Sequence, residues 1–148
     1  MKAKKFGKIH TYSLLLVFLF IAIISCNKNP YNRLLGTWEN KQPTYTETYI
    51  YDGINFDAGS YKMKVKSIIW SSDASGIIYG RYTENTYSPS VVGKYYAVSF
   101  KDLTYSSVSI CGAYKNGKMA ADSLVEAITE FTINNGYYGT YSSCKKVK

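Results

Sequence analysis

The chain has 148 residues, enough for one domain with a modest core, and sets 18 lysines and arginines against 10 acidic residues and a single histidine, His10. Four of the basic residues, Lys2, Lys4, Lys5 and Lys8, crowd the N-terminus, so residues 26–148 carry 14 basic and 10 acidic side chains, a net charge of +4. That mild, dispersed excess gives no ground for a nucleic-acid partner. With no histidine beyond residue 10, neither a Ser-His-Asp arrangement nor a His-ligated zinc site can be built downstream.

In chain order, the N-terminal lysines lead into an unbroken apolar run of eleven, residues 14–24. A spanning helix needs roughly 20 such residues. Eleven, followed by Asn27, Lys28, Asn29 and Pro30, make the apolar core of an export signal. The run closes on Ile23-Ile24-Ser25-Cys26, which resembles the lipobox of bacterial lipoproteins. The resemblance implies that residues 1–25 are a lipoprotein signal peptide and that Cys26 carries palmitate-like acyl chains on a diacylglyceryl group. Each buried CH₂ contributes about 0.8 kcal/mol, and one chain binds only reversibly, so two or three are needed to hold the protein on a membrane. Residues 26–33 then read as the lipidated cysteine and a polar tether, and residues 34–148 as a single β-rich domain. Asn27, where an aspartate would hold the protein at the inner membrane, points to the outer membrane of the cell envelope, on its periplasmic or surface side.

Fifteen of the sixteen tyrosines follow Cys26, and aromatic and β-branched residues suit pleated, half-buried surfaces. Strands are predicted over 34–39, 44–51 and 54–56, with Asp52-Gly53 as a hairpin turn. Over 61–70, Tyr61, Met63 and Val65 alternate with Lys62, Lys64 and Lys66, which describes a strand with one wet face. Further strands are expected at 77–82, at 91–92 with 95–100, and at 108–114, separated by turn residues at 71–76 and 84–90. The period changes at 122–130: Asp122 or Ser123 caps a helix, Glu126 stands three residues after Ser123, and Leu124, Val125, Ala127, Ile128 and Phe131 form its apolar stripe. Residues 131–133 and 137–141 close the pattern as a last hairpin or bulged strand.

Leu35-Gly36-Thr37-Trp38 resembles the GxW start of lipocalins and small lipocalin-like lipoproteins. The resemblance implies an up-and-down barrel whose closed end is plugged by Trp38, with a late helix before the final strand. Where that family stacks an arginine over the tryptophan, this chain offers Lys145 and Lys146. The fold class is therefore mainly β, an antiparallel barrel or a sandwich with one C-terminal helix.

With Cys26 lipidated, Cys111 and Cys144 remain as an even pair in an exported chain, and a disulfide is expected between them. Closing that loop of roughly 34 residues contributes about 3–4 kcal/mol in the chain-entropy model. No Gly-rich phosphate loop is present, and Asp52, Asp57 and Asp73 lack the spacing of a calcium loop. Glu39, Glu47, Glu84 and Asp102 read as turn or exposed-strand residues rather than catalytic carboxylates. No enzyme, cofactor or metal is expected. The function expected is a membrane-held binding module for a small hydrophobic ligand, with Trp38, Trp70, Tyr95 and Phe100 as lining candidates. The alternative is a surface protein that contacts an envelope protein or glycan through exposed tyrosines.

Overall fold

The computed structural model describes residues 29–147. The signal segment 1–25 and Cys26 lie outside the described residues. The first element, α1 (Pro30–Leu34), starts where the side chain of Asn29 accepts the Tyr31 N–H at 3.1 Å and Pro30 presets the first helical φ. The stretch read as the end of a tether is thus part of the folded body. Leu34 is buried, and the Tyr31 ring meets Trp70 edge-on at 5.2 Å.

Eight strands follow: β1 (Gly36–Lys41), β2 (Thr46–Tyr51), β3 (Asn55–Asp57), β4 (Tyr61–Ser72), β5 (Ser75–Asn85), β6 (Tyr95–Lys101), β7 (Ser107–Gly112) and β8 (Ser142–Lys146). Each pairs antiparallel with the next, and β8 returns to β1 through Trp38↔Lys146 and Glu39↔Lys145, so the sheet closes as a barrel and the sandwich alternative falls. Alternation along the strands sends Trp38, Tyr49, Phe56, Met63, Ile78, Val98, Phe100, Val108 and Cys144 to the interior. Gly80 faces inward among them: a Cβ there would lie 2.8 Å from the Met63 sulfur, so the glycine vacates the space that Met63 fills. Three register shifts in the long β4–β5 hairpin bend it around the barrel.

The late helix forms as expected, except that Val125, counted in its apolar stripe, is 72 % exposed. In α2 (Leu124–Glu130) the Ser123 hydroxyl accepts the Glu126 N–H at 3.1 Å, and the Glu126 carboxylate reaches back to the Asp122 N–H at 2.9 Å. The helix packs against β5 and β6, where the outward Tyr79 donates its hydroxyl to the Phe131 carbonyl.

Three expectations are corrected. Residues 91–92 do not extend a strand, because Pro89 opens a 3₁₀ turn (Pro89–Val91) that ends before Gly93, whose φ is +88°. Residues 137–141 form no strand: they lie along the outer wall, tied by the Tyr114 N–H to the Tyr137 carbonyl and by Tyr141 to Ser99 at 2.9 Å. Cys111 and Cys144 are free thiols rather than a disulfide. Cys144 sits opposite Val108, inside the barrel, whereas Cys111 pairs with Ser99. Three positions along β7 put Val108 and Cys111 on opposite faces and about 10 Å apart, beyond the reach of an S–S bond.

Candidate functional site

Because consecutive strands run up and down, the barrel has two distinct poles. At the closed pole, β1 begins immediately after α1, and the Trp38 indole donates to the Leu34 carbonyl at 2.9 Å. The Lys146 ammonium lies 4.9 Å from the centre of the Trp38 ring and donates to the Arg33 carbonyl at 3.2 Å. A lysine therefore occupies the position over the tryptophan that the lipocalin resemblance gives to an arginine. Trp70 and Phe100 meet edge-on at 4.8 Å, and Arg33 pairs with Asp73 in the β4–β5 turn. Trp38 and Phe100 are each 1 % exposed. This pole is packed shut.

The opposite pole opens into a hollow of about 490 Å³, bounded by β2, the β3–β4 turn, and the mouth ends of β4, β6 and β7. Tyr49, Tyr61 and Tyr96 form its aromatic walls, with Glu47 and Ser60 at the rim. Glu47, Tyr49 and Tyr51 share one face of β2, so the interior parity that places two tyrosines also turns a carboxylate inward. Glu47 Oε2 accepts from Asn40 Nδ2 at 2.9 Å, and Gln42 Nε2 holds Asn40 in place through its Oδ1 at 3.0 Å. The Tyr49 hydroxyl lies 3.4 Å from Glu47 Oε2 and 3.3 Å from Ser142 Oγ.

The rings form a continuous set. Tyr49 contacts Phe56 at 6.1 Å, Phe56 stacks on Tyr61 at 6.4 Å, and Tyr61 meets Tyr96 at 5.3 Å with their planes 87° apart. Tyr82 stacks on Tyr96 at 4.8 Å behind them. Gly112 admits this arrangement, since a Cβ there would overlap the Tyr96 hydroxyl. Burial pushes the Tyr49 hydroxyl up to about 12, and burial likewise raises Tyr61 and Tyr96, so all three stay neutral and able to donate at physiological pH.

The residues singled out as lining do not border this hollow. Trp38 and Phe100 are core, and Trp70 closes the opposite pole. Tyr95 faces away from the interior and bridges to Ala121, because the inward positions of β6 are Tyr96, Val98 and Phe100. The strands were legible in the sequence, but which aromatics share a level of the barrel was not. Shared parity with Tyr49 and Tyr51 is the signal that would have turned Glu47 inward.

The lysine strand has the wet face expected of it. Lys62 lies 3.2 Å from Glu84 and 3.8 Å from Asp57, while Lys64 stands directly opposite Arg81 beside a second hollow, of about 420 Å³, on the outer wall. The exposed tyrosines Tyr31, Tyr45, Tyr87, Tyr105 and Tyr114 belong to five separate segments spread over both poles. Compared with known proteins, the chain matches no family model, no curated protein and no solved structure.

Proposed function

We propose that this protein is a lipid-anchored envelope lipoprotein that binds a small ligand in the open mouth of its barrel and performs no chemistry on it. The observation that carries the reading is the contrast along the barrel axis. The interior is filled from Trp38 to Met63 and Val98, and then gives way to a hollow of about 490 Å³ walled by rings with polar tips. That volume lies within the usual span of small-molecule sites. The packed axis favours a ligand seated at the mouth, small and able to form hydrogen bonds, over a long apolar chain threaded through the barrel. An eight-stranded barrel has room for one such guest or for its own side chains.

The anchor fits this arrangement. The chain enters the barrel through α1 at the closed pole, so acyl chains on Cys26, three residues before Asn29, would hold that pole toward the bilayer and leave the mouth facing the compartment. The absence of histidine after residue 10 supports a binding rather than a catalytic role.

The test is intact-mass analysis of the protein purified from its native membranes, first under native and then under denaturing conditions. The expected result is a chain beginning at acylated Cys26 that releases a small molecule on denaturation. A chain retained from Met1 without fatty acid would overturn the anchor. A mouth that neither carries nor takes up any small molecule would overturn the binding role.

A further inference from the structure

We infer that the outer wall of the barrel carries a second site, for a phosphate monoester, in the hollow between the β4–β5 hairpin and the turn that ends at Gly93. It shares no lining residue with the mouth and stands or falls independently of it. The charged side chains lining this hollow of about 420 Å³ are Lys64, Lys66 and Arg81, and no carboxylate borders it. None of the three takes part in an ion pair among the described residues. Nearby lysines are matched: Lys62 by Glu84 and Asp57, and Lys94 by Asp122 at 2.8 Å.

The register concentrates this charge. Lys64 stands directly opposite Arg81, a like-charged cross-strand pair that weakens a sheet unless something neutralises it. Toward the mouth, the outward pair Lys62 and Glu84 is of opposite charge, so one face of one hairpin uses both arrangements. The ladder skips one residue on each side of the Lys64–Arg81 pair: Thr83 on β5 and Lys66 on β4 have no partner in it, and both line the hollow. A bulge re-aims the side chain it carries. The guanidinium is held in place, because Arg81 Nε donates to the Gly93 carbonyl at 2.5 Å, while its two terminal amino groups have no protein acceptor among the described residues. Two free amino groups on a fixed planar fork match a pair of oxyanion oxygens. A phosphate monoester brings close to two negative charges at pH 7, where a carboxylate brings one, and its organic part has room beside the exposed Val92.

The test records amide NMR spectra of the full-length protein with phosphatidylcholine bicelles, titrated with glycerol 3-phosphate, with glycerate as the carboxylate of similar size, and with sodium chloride at the same ionic strength. A second arm replaces part of the bicelle lipid by phosphatidic acid. Phosphate is expected to shift Lys64, Arg81, Thr83 and Gly93 and to leave Thr48 and Gly59 at the mouth unmoved. Arg81→Gln is expected to weaken binding at least about tenfold, and Lys64→Gln or Lys66→Gln at least about threefold. Lys62→Gln removes the same charge from the matched end of the same strand and is expected to change the affinity less than about twofold. Thermal unfolding verifies that each variant is folded, and a bound phosphate raises the midpoint of the unsubstituted protein but not that of Arg81→Gln.

Equal affinity for glycerate, a loss in Lys62→Gln as large as that in Arg81→Gln, or shifts that chloride reproduces would overturn the site. If glycerol 3-phosphate shifts the signals, the phosphate is that of a free ester; if only phosphatidic acid does, it is that of a lipid headgroup. If neither does, the site falls.

Discussion

The two poles of this barrel draw on the same aromatic composition and put it to opposite uses. At the closed pole, Trp38 and Phe100 are rings without free polar tips, while the Trp70 indole N–H is buried without a hydrogen-bond partner. The one indole N–H that Trp38 carries is taken by Leu34, and Lys146 covers its face. At the mouth the corresponding positions are tyrosines, each with a ring that packs like phenylalanine below and a hydroxyl that meets the hollow above. One continuous sheet thus carries Trp38, Trp70 and Phe100 at its closed end and Tyr49, Tyr61 and Tyr96 beside the hollow. The pole nearest the chain's entry is packed shut, and the other carries the hollow.

The largest expected break in that contrast is Trp38→Ala. Removing a buried tryptophan costs about 3–5 kcal/mol, which should lower the thermal midpoint by roughly 10–20 °C; a change confined to a few degrees would mean that the closed pole is not the anchor of the fold.

Raising the pH should strike the mouth next. The folded-state values of Tyr49, Tyr61 and Tyr96 all lie above the free-chain value of 10.0 because burial disfavours the phenolate. The stability they contribute is complete below pH 10 and is lost as the pH climbs from there through the raised values, since the unfolded chain sheds those protons first. Both tryptophans sit at the closed pole. Tyrosinate absorbance and loosening of the mouth should therefore precede any change in tryptophan fluorescence, and simultaneous transitions would contradict the division.

Gly112→Ala sets a Cβ against the Tyr96 hydroxyl. Overpacking of this kind costs about 1–3 kcal/mol, and here it should also reduce ligand uptake, which binding and unfolding measurements on the same variant would report together. The smallest effect expected is that of Lys146→Met, which keeps the packed stem but removes the ammonium from the Trp38 face, a loss of about 0.5–1 kcal/mol in denaturant unfolding with the mouth unaffected.

Local signals carried much of the fold. The Asp52-Gly53 turn, the alternation through Lys62, Met63 and Lys64, and the Ser123–Glu126 cap each depend on residues within four positions of one another, and each is present in the structure. What depends on pairing across the barrel was not legible. Tyr137 and Tyr138 have the composition of a strand, yet Tyr138 donates to the Phe131 carbonyl and its neighbours lie on the outer wall instead of joining a ladder. Cys111 and Cys144 form a plausible pair by count and compartment, but β7 turns them to opposite faces. The mouth was hidden for the same reason. Tyr49, Tyr61 and Tyr96 come from three strands, and only the register brings their rings to one level.

The most direct test of the division between a sealed pole and a binding mouth is an amide and indole NMR map of the full-length protein, recorded with and without the small molecules released from the same protein purified from native membranes. Shifts are expected at Glu47, Thr48, Gly59 and Gly112, with the Trp38 and Trp70 indole signals unmoved. Movement of the indoles with a silent mouth would contradict it.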